Sequence, residues 1–371
     1  MRTRDIRVVF LAALIFAFGS GCSLRKLAVR SMASTFGDLS ATFARDDDPA
    51  LIGDALPFAL KTIEGLLEEA PHNRGLLIAA ASGFVEYAYG WVELEAERVE
   101  LDDYAQAEAL RARALGLYLR ARDYGLRLLA LHQPEIEAKL LSDPEHAIGP
   151  AVAKDVEALF WTGAAWGSAI ALALDQPELV VDLPSARALL EAALAADPDW
   201  RQGLVREAMV ALEALPEAMG GSVARARVHF ERAQALTGGQ RAGTFVTWAQ
   251  RVAIAQQDRA LFIEMLERAL AVDLDALPDE RLTNRVSQQR AALLLARVDE
   301  YFFGAGEAAE DPEDPENAEN AENQESAENA ENAENAENGA DAENGADAEI
   351  GASAQRPDPA STVRAGQGRR P

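Results

Sequence analysis

One spacing of residues recurs four times in this chain, and it admits little except paired helices. Ala59, Ile63, Leu66 and Pro71 stand at offsets 0, 4, 7 and 12. The same offsets give Ala186, Leu190, Ala193 and Pro198, then Ala226, Phe230, Ala233 and Gly238, then Phe262, Leu266, Ala269 and Leu274. Offsets 0, 4 and 7 fall on one face of a helix. A small residue on that face lets a neighbouring helix approach closely. A breaker five residues later ends the helix before the next unit begins. The plainer alternative is generic amphipathic helix, since Ala and Leu are abundant here. Four copies in order, two of them closed by proline, favour a repeat.

The residues between these copies agree. Positions 36–303 are rich in Ala, Leu, Glu and Arg, with few alternating Val, Ile or Thr runs of the kind strands use. Asp48-Pro49 opens one helix, with proline in its favoured first turn. Pro71, Pro144, Pro184, Pro198 and Pro278 mark junctions, and the glycine pairs 220–221 and 238–239 read as left-handed helix ends. The repeated pattern resembles the second helix of a tetratricopeptide repeat with its turn proline. Its last three breakers lie 40 and 36 residues apart, against about 34 for the standard unit. The expected fold is all-α: a tetratricopeptide-like solenoid of helical pairs over 36–303.

The two ends of the chain are of another kind. Arg2, Arg4 and Arg7 precede a short apolar run, Val8 to Phe18, which is too short to span a membrane stably. Gly19-Ser20-Gly21 then leads into Cys22, the sole cysteine of the 371 residues. This arrangement resembles a bacterial lipoprotein signal, although Gly19 stands where Leu is usual. It implies a signal peptide over 1–21, lipid on Cys22, a linker over 22–35 and periplasm-facing attachment to the cell envelope. The absence of Asp after Cys22 favours the outer membrane. An ordinary secretory signal with an incidental cysteine is the alternative.

At the other end, 304–371 is an acidic low-complexity stretch built on a repeated Glu-Asn-Ala triplet. Residues 304–355 hold 17 acids, no base and a single aliphatic residue of the Val, Ile and Leu type, Ile350. Such a segment cannot bury enough apolar surface to offset backbone ordering, about 1–2 kcal/mol per residue, and is expected to be disordered. It lacks the glycine turn and oxygen spacing of a calcium loop. Of the net charge of −26, the stretch carries −14 and residues 22–303 another −14, against +2 on the signal segment. With no basic footprint on either mature part, nucleic acid is not expected as a partner.

Nor does the sequence carry a catalytic constellation. His72, His132, His146 and His229 are isolated, and a single cysteine excludes an internal disulfide and a multi-cysteine metal site. No HExxH, nucleophile elbow, phosphate loop or dinucleotide fingerprint is present. No enzyme, metal or cofactor is therefore expected. Arg111, Arg113, Arg120, Arg122 and Arg127 line one helix and could face an anion; pairing with neighbours such as Glu108 and Asp123 is the plainer reading. The aromatics Phe84, Trp91, Trp161 and Trp166 sit among small residues. On the inner helices of stacked repeats they would bind a ligand or partner; between helices they would only fill the core.

Several ordered stretches together resemble the T component of tripartite ATP-independent periplasmic (TRAP) transporters. They include Asp48-Pro49 through Ala59-Leu60, Ala79 to Phe84 with Tyr87-Ala88-Tyr89, and Leu117 through Arg127. They continue with Phe160-Trp161-Thr162-Gly163-Ala164-Ala165-Trp166, Leu215 to Ser222, His229 to Ala233 and Gln257 to Phe262. The resemblance covers about 36–303 and leaves out the acidic stretch. It implies a non-enzymatic periplasmic tetratricopeptide lipoprotein working beside the transporter's substrate-binding protein. It further implies a homo-oligomer, of which a trimer is one form, and an internal cavity suited to a small apolar ligand. The alternative is a general scaffold for envelope protein assembly.

Overall fold

The computed structural model describes residues 41–150 and 152–302. The signal segment, Cys22, the linker 22–35 and the acidic stretch 304–371 lie outside the described residues. The principal helices are α1 (Pro49–Glu69), α2 (Arg74–Tyr87), α3 (Tyr104–Ala130), α4 (Ile136–Ser142), α5 (Val156–Ala171) and α6 (Leu183–Ala196). They continue as α7 (Trp200–Glu213), α8 (Val223–Thr237), α9 (Ala242–Trp248), α10 (Arg259–Leu270) and α11 (Arg281–Leu295). Among the described residues there is no strand.

The starts of these helices follow from local chemistry. Asp48 caps α1 by accepting hydrogen bonds from the Ala50 and Leu51 amides, with Pro49 in the first turn. Asn73, Asp103, Asp155 and Asp258 cap α2, α3, α5 and α10 in the same way. The expected breakers also act as breakers. Pro71 and Pro198 follow the ends of α1 and α6, and Gly238 ends α8 at φ 61°. Pro184 instead lies in the first turn of α6.

The helices pack as pairs in two layers. α2, α5, α7, α9 and α11 stand side by side on the inside, and α3, α6, α8 and α10 back α2, α5, α7 and α9 respectively. The repeated face belongs to the outer helices. Ala186, Leu190 and Ala193 on α6, and Phe262, Leu266 and Ala269 on α10, are buried. Ala226 and Ala233 on α8 are buried too, with Phe230 half-buried beside them. Small residues set the close contacts between layers. A Cβ on Gly125 of α3 would stand 2.3 Å from Thr162 Oγ1 of α5, and one on Gly163 would stand 2.9 Å from Leu190 of α6. α3 buries Ala107, Ala114, Tyr118, Ala121 and Gly125, a stripe turned slightly from the one that Leu117 and Tyr124 suggest. The turn brings the Tyr118 hydroxyl onto Glu93 of the inner layer.

The apolar interior divides. One cluster joins α1 through α7, around Trp166, Tyr118 and Phe84. A second joins α9, α10 and α11 with Val210 and Ala226, around Trp248 and Phe262. A third and much smaller group, Ile52, Leu56 and Leu282, lies where α11 returns to α1. The inner layer thus closes on itself. α11 packs against both α1 and the turn that follows α2, and a set of arginines fastens this seam. Arg290 donates to Glu97 at 2.9 Å and to the Tyr89 carbonyl at 2.8 Å, and Arg297 donates to the carbonyls of Glu97 and Arg98. On the outside Arg45 pairs with Asp279.

Candidate functional site

The closed inner layer surrounds a space, and the exposure of its side chains reveals it. After Tyr87, α2 runs on through a π-helical turn, Ala88–Glu93, into a last α-helical stretch, Leu94–Val99. Ala79, Ser82, Glu86, Tyr89, Glu93 and Glu97 are partly or fully accessible along this rod, at steps of three and four. That spacing is one face of a helix. Glu86 is exposed to water, yet protein encloses its carboxylate on every side. Both are true only of a group that faces an internal space. Tyr89, Glu93 and Glu207 are half-buried and equally enclosed.

The other inner helices present matching stripes. α5 offers Ala164, Gly167, Ser168 and Ala171, and α7 offers Leu204, Glu207, Ala208 and Ala211. The lumen therefore has an acidic wall on α2, a small neutral wall on α5, and one carboxylate on α7. Glu207 accepts a hydrogen bond from the Thr244 hydroxyl of α9 at 2.9 Å.

Burial governs the titration of these groups. It pushes Glu86 up to about 7, with Arg201 opposing the shift and Glu280 adding to it. Glu207 is raised by burial against the pull of Arg241 and the Thr244 hydroxyl. Glu93 is raised by burial against the attraction of Arg290 and the hydrogen bond from Tyr118.

The guanidinium groups nearby are committed. Arg241, 1% exposed, donates to Glu280 at 2.7 Å and to the Arg201 carbonyl at 2.9 Å. The carbonyls of Arg201 and Gln202 point this way because Arg201, Gln202 and Gly203 take left-handed backbone, φ 44°, 54° and 92°. Two residues with side chains are strained there, and such strain gathers at ligand clamps and switches. Arg290, 1% exposed, lies 3.9 Å from the Tyr89 ring centre and pairs with Glu97. The Tyr89 carbonyl that it holds lies inside the π turn, where the widened helix alters the usual ladder.

Of the four aromatics singled out from the sequence, three lie between the layers. Phe84 is 3% exposed, Trp161 5% and Trp166 1%. Phe84 stacks on Tyr124 of α3, Trp161 meets Phe160 edge-on at 4.9 Å, and Arg122 covers Trp166. Trp91 differs. Half-buried, it donates its indole N–H to the Pro49 carbonyl at 2.7 Å and lies flat against Gly53 of α1, where a Cβ would be 2.3 Å from its Nε1. It borders a seam groove of about 220 Å³ with Pro49, Gly90, Leu94, Glu95, Arg98 and Gln289. Cys22 lies outside the described residues. The arginines of α3 are engaged: Arg111 with Glu100 and Glu108, Arg120 with Glu64, Arg122 with Asp123, and Arg127 with the Pro71 carbonyl. Arg113 covers the Tyr87 ring.

The sequence reading did not single out Glu86 and Glu207. The signal was present: Ser82, Glu86, Tyr89, Glu93 and Glu97 form a polar stripe on an otherwise apolar segment. Without knowing that the inner layer closes, such a stripe reads as an ordinary solvated face. Among the described residues, no group of three or more His, Cys, Asp or Glu could hold a metal ion. No helix among them is long and apolar enough to cross a membrane.

Comparison with known proteins bears on what this lumen serves. A family model described as TRAP transporter T-component matches residues 45–302, nearly the whole described fold. An uncharacterised protein of Treponema pallidum (strain Nichols) is 29% identical over 321 residues, covering 81% of this chain and 99% of that protein.

Proposed function

The chain belongs to the TRAP transporter T-component family, and from that premise we propose that it binds the transporter's periplasmic substrate-binding protein and holds a small ligand in its lumen. Membership makes it an accessory component of a transporter in the cell envelope, which is not an enzyme class. The finer reading rests above all on one observation: an inner layer of helices that closes around accessible side chains. A closed layer offers a ligand compartment inside and leaves the outer helices free for a protein partner.

In this reading lipid on Cys22 is the attachment to the membrane, with the outer membrane as its site. Residues 22–35 are the tether and 36–303 the working domain. The acidic stretch 304–371 is dispensable for folding. The protein acts as a homo-oligomer, with a trimer the form to test first. Trp91 is the aromatic that meets a ligand or partner at the seam groove. Phe84, Trp161 and Trp166 support binding from the layer behind.

Crosslinking in intact cells, followed by capture of the full chain, tests the partner. Recovery of a TRAP-type substrate-binding protein, reduced by Trp91→Ala, is expected. Recovery of many unrelated envelope proteins with no transporter component would overturn the assignment in favour of a general assembly scaffold. A Cys22→Ser chain is expected to leave the membrane fraction or to remain an uncut precursor. If it is cut and still sediments with the membrane, the anchor lies elsewhere.

A further inference from the structure

The charge balance of the lumen suggests what kind of ligand it takes. Five carboxylates belong to it or its rim: Glu86, Glu93, Glu97, Glu207 and Glu280. Three are answered. Glu97 pairs with Arg290, Glu280 pairs with Arg241, and Glu93 accepts from the Tyr118 hydroxyl with Arg290 acting on it. Glu86 and Glu207 are not answered in this way. Among the described residues Glu86 has no hydrogen-bond partner, and Glu207 has only the neutral Thr244 hydroxyl.

The arginines that act on these two from a distance are held by other groups. Arg241 lies on Glu280 and two carbonyls. Arg201 stacks on Trp200 at 4.9 Å and leans toward Glu157. Both carboxylates face one space: each feels Glu280, and Glu207 also acts on Tyr89, one step along the stripe from Glu86. An enclosed carboxylate with no counter-charge is costly, and the cost falls when a cation sits beside it.

We propose that the lumen binds an organic ammonium ion, its charged nitrogen between Glu86 of α2 and Glu207 of α7 and its apolar body along the Ala164–Gly167–Ser168–Ala171 wall of α5. The small side chains of α5 leave room there; a Cβ on Gly167 would meet nothing within 4 Å. A metal ion fits less well, because no third His, Cys, Asp or Glu among the described residues joins them. This inference deepens the lumen part of the proposed function and rests on it; it does not depend on which protein docks outside.

Calorimetric titration of the full chain with three matched probes tests it: hexylammonium, hexanol and hexanoate. Hexylammonium is expected to bind at least about tenfold more tightly than the other two, the worth of one charge-assisted hydrogen bond. Binding is expected to tighten as pH rises from 6 to 8, because the cation requires Glu86 ionised and burial holds that group near 7. Arg201 and Glu280 act on Glu86, and Arg241, Thr244 and Glu280 on Glu207, so the midpoint reports this whole set.

Glu86→Gln and Glu207→Gln preserve shape and remove charge. Each is expected to weaken hexylammonium by about tenfold or more at pH 8 while leaving the thermal midpoint undiminished. These variants also separate lumen binding from loose attraction to the acidic stretch 304–371. Equal affinity for hexanol, tighter binding of hexanoate, or no loss in either variant would overturn the proposal. So would the absence of binding by all three probes in a chain that still captures its protein partner, an outcome that leaves the transporter assignment standing.

Discussion

The contact between α5 and its neighbours and the seam between α2 and α11 join the same inner layer by opposite means. At α5 the contact is dry. Trp166, Leu159 and Ile170 are buried, and Gly125 and Gly163 let backbones come close. At the seam the buried apolar group shrinks to Ile52, Leu56 and Leu282, and Arg290 and Arg297 hold the helices through a carboxylate and three carbonyls. Consecutive pairs stack wherever apolar faces meet, so each pair needs only its neighbour. Closing the ends together requires partners about 200 residues apart in sequence, and there directional bonds select the match. Polar closure costs desolvation and yields modest net stability. The seam is therefore the part of the inner layer best suited to open.

Trp166→Ala should do the most damage, about 3–5 kcal/mol of global stability, because it leaves a large cavity in a dry core. Equilibrium urea unfolding reads this as a lower midpoint. A loss below about 1 kcal/mol would show that the α5 contact is less dry than its burial indicates.

Arg290→Met should cost less, about 2–3 kcal/mol, since it strands Glu97 and the Tyr89 carbonyl at a partly exposed site. The distinctive readout is where the loss falls. Amide exchange should quicken in α11 and in the turn 88–93 while α5 and α6 stay protected. Uniform quickening would erase the distinction between the two contacts.

Glu86→Gln should have the opposite sign at neutral pH. A carboxyl raised from 4.5 to about 7 on folding binds more protons folded than unfolded, so the wild type loses stability as pH rises through that interval. Thermal midpoints should favour the variant at pH 8, and the gap should close near pH 4.5. A gap independent of pH would mean that the residue acts through shape and not charge. Arg45→Ala should be the mildest change, under about 1 kcal/mol, because its pair with Asp279 is exposed on both sides. A larger loss would place the strength of the seam at its rim instead of at Arg290.

The residues alone determined the helices and their pairing. Asp48, Asn73, Asp103, Asp155 and Asp258 mark where helices start, Pro71, Pro198 and Gly238 mark where they end, and the faces of α6, α8 and α10 lie where the repeated spacing puts them. These are local matters: a cap reaches two or three residues, and a periodic stripe needs only some neighbour to bury it. The tertiary structure decided the rest. It turned Phe84, Trp161 and Trp166 into the space between the layers and left Trp91 at a groove. It widened two helices into π turns, Ala88–Glu93 and Ala249–Ala253, and it brought Arg290 to Glu97. It also made the stripe of Ser82, Glu86, Tyr89, Glu93 and Glu97 into the wall of a lumen. Helical spacing states which residues share a face; whether that face meets bulk water or an enclosed space depends on helices far away in the chain, whose approach no local pattern records.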